Sequence, residues 1–541
     1  MIPVLALSPG GQWDCNLLDR LFANQLYPTG LEFQRFDTYP HADGIVLIVP
    51  GRYWHGAYDD INEKIAGYKW VLAILTSDEE NWFDISKINH RNIKWWVQTP
   101  RIGRDYADAR LFGVGFPKHF NHLPGAVPDK TLGVFLSAQK THDRRVQAFD
   151  ALEHVDANQL VEATQGFTQG LPPAEYADAM MSAKVAPAPS GAVSPDSFRL
   201  YEALESHCVP IADDISPIYD SDGYWRTLFP DAPFSILTDY AELPVLIGRA
   251  LANYPHNANR IAAWWIEQKR AMAQWPMQDI IGLGAKWREH LTDTLPITVI
   301  ITTSPIKSHP DTRIIDETIE TVRTHLPDCE IILVCDGVRP EQEGRRGDYE
   351  EYIRRVVWKA NHEWGNVLPL IFDEHLHQAV ATKRALEHVR TPLILFVEGD
   401  TPLTPDREID WHGLCNVITD GAANVVRFHH ESHILEEHKH IMVDAGVPHE
   451  VSGVPMARSA QWSQRPHLAS VDFYRDMLAT HFPNDEKNFI EDVVYGPCVE
   501  AFLVDGVDGW EKWRTWIYHP EGDIKRSYHT DGREGEEKFD S

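Results

Sequence analysis

Basic residues are scarce in this chain of 541 residues: 50 Lys and Arg stand against 80 Asp and Glu, a formal net charge of −30 with His neutral. Non-specific nucleic-acid affinity comes from clustered Lys and Arg, so the imbalance argues against a broad phosphate-binding surface and leaves room only for a local basic groove. Cysteine is scarcer still, with six residues (Cys15, Cys208, Cys329, Cys335, Cys415, Cys498) and no C-x-x-C pair. Neither a zinc ribbon nor a disulfide scaffold is indicated, and reduced, buried thiols are expected. No segment approaches the ~18 continuous apolar residues of a membrane helix, and the opening MIPVLALSPGG has no basic residue before its short apolar run. No repeat with a fixed period recurs. These absences lead to the expectation of a soluble, cytoplasmic protein without a membrane span, lying in a host cytoplasm if the source is viral.

What is present is an ordinary folded composition, 43% hydrophobic, 24% charged and 11% aromatic. At about one domain per 150 residues the length suggests three or four units. Short β-branched and aliphatic runs separated by longer amphipathic stretches predict an α/β protein with buried parallel strands. Strands are expected at Pro3–Leu7, Gly44–Val49, Trp70–Leu75, Lys94–Val97 and Thr131–Leu136, with an interdomain crossing at Gly113–Asp129. There follow a helix at Arg144–His154, a Pro-rich loop at Ala186–Pro195, a helix at Asp196–Ser206, a strand near Val209–Ala212 and a helical segment from Tyr240 to about Gln274. A second doubly wound sheet begins with LPITVIITTSP at Leu295. It continues through strands at Glu330–Cys335, near Val367–Phe372 and at Pro392–Val397, with a helix at Gln378–Val389. The predicted boundaries are 1–129, 130–284 with closing helices, 295–528, and an acidic tail at 529–541, the two halves being joined near Gly282–Leu295.

Ligands of parallel sheets bind beyond the carboxyl ends of the strands. In the second half those ends carry Thr303 and Ser304, Asp336, Asp373 and the triplet Glu398-Gly399-Asp400. Two carboxylates separated by Gly can converge on a hard divalent cation that also holds phosphate oxygens. The same triplet suits a polar strand-to-loop turn capped by Asp400 or Thr401. Glu491-Asp492 in KNFIEDVVYG is either a general-base pair or an acidic helix start. FHHESHILEEHKH, at Phe428–His440, lacks H-E-x-x-H spacing and reads as two strands of a hairpin at an acceptor-binding edge rather than as a zinc site.

Over roughly Leu295–Tyr528 the order ITVIITTSP, EIILVCDG and AVATKRALEHVRTPLILFVEGD resembles the inverting GT-A glycosyltransferases of the family 2 type. The resemblance implies a nucleotide-sugar donor and Mn²⁺ or Mg²⁺. Thr303, Ser304 and Asp336 would then lie around the donor's base and ribose, Asp373 would be a further donor contact, and Lys383 or Arg384 would approach the diphosphate. Asp400 would be the main metal contact, with Glu398 where the family more often has Asp. Asp492, beside Glu491, would be the base, His519 and His529 late metal ligands, and Lys525 and Arg526 further diphosphate contacts. A single base with one displacement would invert the anomeric centre.

In the first half, Ala186–Asp214 offers a Gly-bearing loop leading into a helix whose amino terminus suits a diphosphate, with Arg199 and Glu202 three residues apart on one face. A capped helix with a surface Arg–Glu pair is the plainer alternative. Ser190-Gly191, Arg199, Glu202-Ala203-Leu204 and Cys208-Val209-Pro210-Ile211 resemble, in that order, the donor segment of exostosin-type GT-B glycosyltransferases, and TLGVFLSAQKTHDRR would bring Arg144 or Arg145 to phosphate. The expectation is a GT-B-like pair of Rossmann-type subdomains, the first on the acceptor side and the second on the donor side, followed by a GT-A module with a mixed sheet. Such a chain would move a hexosyl or pentosyl group onto a glycan, lipid, protein or modified-DNA hydroxyl, the last as in phage base modification. The first half would be a second transferase or an acceptor platform. A non-catalytic sugar-binding protein is the rival from another class.

Overall fold

Three sheets grow from the strand-forming runs in the computed structural model, which describes the chain except for residues 8–15, 28–31, 116, 118–119, 121–125, 167–168, 220–222, 286–294 and 531–541. Cys15, much of the expected crossing at 113–129, most of the expected link at 282–295 and all but the first two residues of the predicted tail lie outside the described residues. The chain divides into two units, Met1–His290 and Leu291–Ser541.

In the first unit, runs such as GIVLIVP and WVLAILT are buried along their whole length, as strands covered on both faces must be. The first sheet consists of β1 (Ile2–Ala6), β2 (Phe33–Phe36), β3 (Gly44–Pro50), β4 (Trp70–Thr76), β5 (Ile93–Gln98) and β6 (Arg110–Phe112), in the order β2-β1-β3-β4-β5-β6. The second consists of β7 (Leu132–Gln139), β8 (Gln159–Thr164), β9 (Ala183–Ala188), β10 (Val209–Asp213) and β11 (Ser235–Leu237), in the order β11-β10-β9-β7-β8. Every pairing in both is parallel. The first five strands of each follow one doubly wound order, whose switch point lies between the first and third strands. One apolar cluster joins the two sheets through residues such as Val46, Trp96, Val134 and Leu200 with Trp265 and Met272.

One expectation fails here. The Pro-rich stretch assigned to a loop from Ala186 opens instead with β9, because its ladder to β7 registers only at Ala183 and Val185, so that Pro187 and its missing N–H fall beyond it. The expected helical segment consists of a 3₁₀ turn at Tyr240–Glu242 and helices Leu243–Ala252 and His256–Gly282, separated where Pro255 has no N–H with which to continue the first helix. The second helix is tied to the first sheet by Asp279, which accepts from Trp96 Nε1 at 2.7 Å and from Arg110 Nη2 at 2.9 Å.

The second unit carries one nine-stranded sheet: β12 (Ile297–Thr303), β13 (Glu330–Cys335), β14 (Val367–Ile371), β15 (Leu393–Glu398), β16 (Val425–Arg427), β17 (Pro448–Val451), β18 (Val454–Arg458), β19 (His467–Ser470) and β20 (Thr515–Tyr518). The order is β14-β13-β12-β15-β19-β16-β20-β18-β17. The first four strands are parallel, while β19 runs antiparallel to both β15 and β16. The chain leaves β12 outwards to β13 and β14, then returns to its other side as β15, so a switch point opens at the carboxyl ends of β12 and β15. The expected hairpin over Phe428–His440 does not form: β16 pairs with β19 and β20, and Glu436–Ile441 is a 3₁₀ turn. The alternating pattern of that run was carried by His and Glu, which have little apolar surface to hold a strand in register.

Candidate functional site

The register of the nine-stranded sheet sets Thr302 beside Glu398 and Thr303 beside Cys335, so three strands end at one level. A cavity of about 760 Å³ opens there, lined by Thr303, Ser304, Asp336, Glu398 and Asp400 among others. Five of the residues predicted from sequence are thus brought together.

The turn after β15 is built as a capped strand-to-loop turn. Gly399 N donates to Thr302 O at 2.8 Å, Thr318 Oγ1 donates to Gly399 O at 2.7 Å, and Thr401 Oγ1 donates to Glu398 O at 3.1 Å. A capped turn therefore holds Glu398 and Asp400 against the cavity. Glu398 Oε1 accepts from Gln378 Nε2 at 2.8 Å, and Gln378 Oε1 accepts from Ile490 N at 3.0 Å. Gln378 thereby ties the carboxylate turn to the start of helix Ile490–Asp505, which carries Glu491 and Asp492. Sequence reading missed this residue, since a Gln at the start of a helix has no signature. Glu491 accepts from Gln464 N at 2.7 Å and so anchors a loop, whereas Asp492 is exposed three residues beyond Phe489, itself at the cavity wall.

Asp336 lines the cavity but is held chiefly by the backbone. Oδ1 accepts from Gly337 N at 2.8 Å and Leu376 N at 2.7 Å; Oδ2 accepts from His377 N at 3.0 Å and lies 2.7 Å from His375 Nδ1. Asp-Gly here is a clasp on the loop before the next helix. A Cβ on Gly337 would lie 2.3 Å from the carbonyl carbon of Glu374, an approach only glycine permits.

The expected basic contacts are elsewhere. Lys383 bonds Asp485 at 2.7 Å and also the Phe482 carbonyl, and Arg384 bonds Glu387 at 3.1 Å; neither lines the cavity, because their helix turns that face towards Asp485. Arg526 donates to the carbonyls of Glu408, Asp523 and Lys525, and Lys525 sits in a bridge to His429. Asp373 is exposed beyond β14 and also lies off the cavity. His519 follows β20, its N–H donating to Pro455 O at 2.9 Å. His529 belongs to no loose tail: residues 527–530 run along 400–403, with Thr530 N donating to Asp400 O at 3.0 Å, and its ring stands 5.2 Å from that of His430.

The cations that do line the cavity are Lys307, Arg339 and Arg345, with His309, His375 and His377. His309 stacks on Tyr352 at 3.8 Å, and burial, with Arg345 adding to it, holds its pKa down at about 3. Lys307, Arg339, His375 and His377 follow a predicted strand end by three to five positions, a signal the sequence contained, whereas Arg345 comes ten residues after Cys335 and had none. Among the described residues no three His, Cys, Asp or Glu side chains converge as a ready-made metal cage. Glu398 and Asp400 suit the other mode of binding a divalent cation, in which one or two carboxylates are completed by phosphate oxygens and water.

In the first unit, Asp213 at the end of β10 is the hub. It accepts from Arg144 Nε at 2.8 Å, Ser190 Oγ at 2.5 Å and Tyr240 OH at 3.0 Å. Arg145 donates to Ser190 O at 2.9 Å and Gln139 O at 3.2 Å, and burial followed by Arg199 pulls its pKa down to about 10. Arg199 Nε donates to Ser137 O at 2.8 Å. Glu202 is buried and accepts from Tyr176 OH at 2.6 Å, so it is not presented to a ligand beside Arg199; burial raises its pKa. A Cβ on Gly191 would lie 2.5 Å from Asp196 O, so this position too requires glycine for close approach.

No family model matches the chain, and no curated protein does. Among solved structures it is similar to TarS residues 1–349 of S. aureus, with 12% identity over 44% of this chain and 60% of that one, at a TM-score of 0.27. It is also similar to the mannosyltransferase PcManGT from Pyrobaculum calidifontis, described in complex with GDP-Man and Mn²⁺, at 13% identity, 45% and 59% coverage and a TM-score of 0.27. GalNAc-T7 with UDP, GalNAc and Mn²⁺ matches at 11% identity, 42% and 43% coverage and the same TM-score. The chain thus spans less than two thirds of the length of each of these proteins. Likenesses of this size leave the fold to be read from the sheet topology itself.

Proposed function

We propose that the second unit transfers a sugar from a nucleoside-diphosphate sugar to an acceptor hydroxyl. The observation that carries the reading is the cavity at the ends of β12, β13 and β15, where the hydroxyls of Thr303 and Ser304 and the carboxylates of Glu398 and Asp400 face one space. Its volume of about 760 Å³ is that of a site for a ligand of nucleotide size. A divalent cation held by Asp400, with Glu398, would neutralise the leaving diphosphate. Asp492, exposed beyond the cavity wall, takes the proton of the acceptor hydroxyl as its oxygen attacks the anomeric carbon. The bond from that carbon to the diphosphate oxygen breaks, its electron pair leaves with the nucleotide, and one displacement inverts the centre. Gln378 keeps the carboxylate turn and the helix of Asp492 in register.

The first unit serves this reading as an acceptor platform rather than a second transferase, because its expected donor contacts, Arg144, Arg145, Ser190, Arg199 and Glu202, are all occupied by internal partners. The test is a screen of nucleotide sugars for Mn²⁺- or Mg²⁺-dependent release of nucleoside diphosphate. Asp400→Ala and Asp492→Ala should each lower transfer by about a hundredfold or more, the latter with nucleotide binding retained. Transfer at the wild-type rate in both variants would sink the assignment.

A further inference from the structure

Most basic side chains of the second unit are matched to carboxylates: Arg313 to Asp311, Arg346 to Glu343, Arg354 and Arg355 to Glu351, Lys359 to Asp316 and Arg458 to Asp444. Others, such as Arg475 and Arg526, are taken up by carbonyls, so a cation with neither an ion pair nor a side-chain hydrogen bond is the exception. Three exceptions line one cavity. Lys307 comes three residues after Ser304, Arg339 three after Asp336, and Arg345 ends the 3₁₀ turn Pro340–Arg345. Among the described residues none of the three has an ion pair or a side-chain hydrogen bond.

Arg339 and Arg345 are half-buried, so each gives up hydration without a partner in return. Both charges reach the cavity's own histidines. Burial lowers the pKa of His309, and Arg345 adds to the effect; burial and His375 lower that of His377, and Arg339 adds to it. β12 lies between β13, which the two arginines follow, and β15, which ends in Glu398. The cavity therefore carries Arg339 and Arg345 beside Asp336 on its β13 side and Glu398 with Asp400 on its β15 side.

We propose that Lys307, Arg339 and Arg345 form a phosphate clamp that captures the nucleoside-diphosphate half of the donor without a divalent cation. The guanidinium fork is matched to phosphate oxygens and the ammonium adds a mobile point charge. The clamp rests on the nucleotide-sugar reading above. It separates two contributions to affinity, one from these cations and one from the carboxylates of the Glu398-Gly399-Asp400 turn.

Calorimetric titration of the full chain with uridine, UMP and UDP, and with guanosine, GMP and GDP, in EDTA and then in MnCl₂, tests it. In EDTA the preferred diphosphate should bind about tenfold or more tighter than its nucleoside. The double variant Arg339→Gln/Arg345→Gln should lose that gain and keep the further gain given by Mn²⁺, whereas Asp400→Asn should do the reverse. Lys307→Gln, at an exposed position where folding is not at stake, should lose about threefold in EDTA, and decides the matter if the double variant does not fold. Nucleotide binding that needs Mn²⁺, or that survives all these Gln substitutions in EDTA, overturns the clamp and leaves the nucleotide-sugar reading standing. No binding of any nucleotide in either condition overturns both.

Discussion

The carboxyl ends of β7, β9 and β10 and those of β12, β13 and β15 offer the same topological opportunity, and the two units use it differently. In the first unit Arg144, Ser190 and Tyr240 all converge on Asp213, and Arg145 is taken up by carbonyls. In the second, Lys307, Arg339 and Arg345 stand around a cavity with no such partner. Strand order alone therefore does not mark a site. What distinguishes a site from a well-built sheet edge is charge left without an internal partner.

Asp213→Ala is the most direct way to break this contrast. If its carboxylate is structural, the substitution removes the ion-pair partner of Arg144 and the acceptor of Tyr240, at a cost of about 3–5 kcal/mol to the first unit. Faster hydrogen exchange across β7, β9 and β10 is the expected result. Protection that stays at the wild-type level would mean that these cations are free to serve a ligand, as proposed for Lys307, Arg339 and Arg345.

The two units should also answer pH in opposite senses. Burial holds His309 and His429 at about 3 and His467 at about 4, in each case below an ordinary imidazole. As pH falls from 6.5 towards these values the unfolded chain takes up protons that the folded unit refuses, so the second unit loses about 1.4 kcal/mol per pH unit for each imidazole. In the first unit burial raises Asp78 and Asp196 to about 6. There the folded form holds protons that the unfolded chain has released between about 3.8 and 6, so stability falls as pH rises across that window. Hydrogen exchange of peptides from each unit at pH 4.5 and 6.5, corrected for intrinsic rates, should show the second unit weaker at the lower pH and the first unit weaker at the higher. Equal slopes would remove the contrast.

The sheets were legible because runs such as GIVLIVP and LILFVE have one reading, a strand buried on both faces, and the strand-end rule then pointed at Thr303, Ser304, Glu398 and Asp400. Short edge strands such as β6, β11 and β17 were not legible, since three or four half-exposed residues carry no periodic signal. The partners of charged residues were the least legible. Whether Asp336 meets a ligand or three backbone N–H groups depends on where residues 374–377 return, and nothing local to Asp-Gly fixes that. Gln378 likewise acquires its role only from the distant Ile490.

The smallest expected effect tests the sharpest difference between pattern and structure. Lys383 and Arg384 stand where a diphosphate contact was expected, yet they turn to the exposed Asp485. Lys383→Ala and Arg384→Ala each break a solvent-screened pair and remove nothing from the cavity, so nucleotide affinity should stay within about twofold of wild type. Arg345→Ala, closer in sequence to no phosphate motif, should weaken the same nucleotide more than either. The opposite ranking in one calorimetric series would return the phosphate to the helix after β14 and turn Lys307, Arg339 and Arg345 into bystanders.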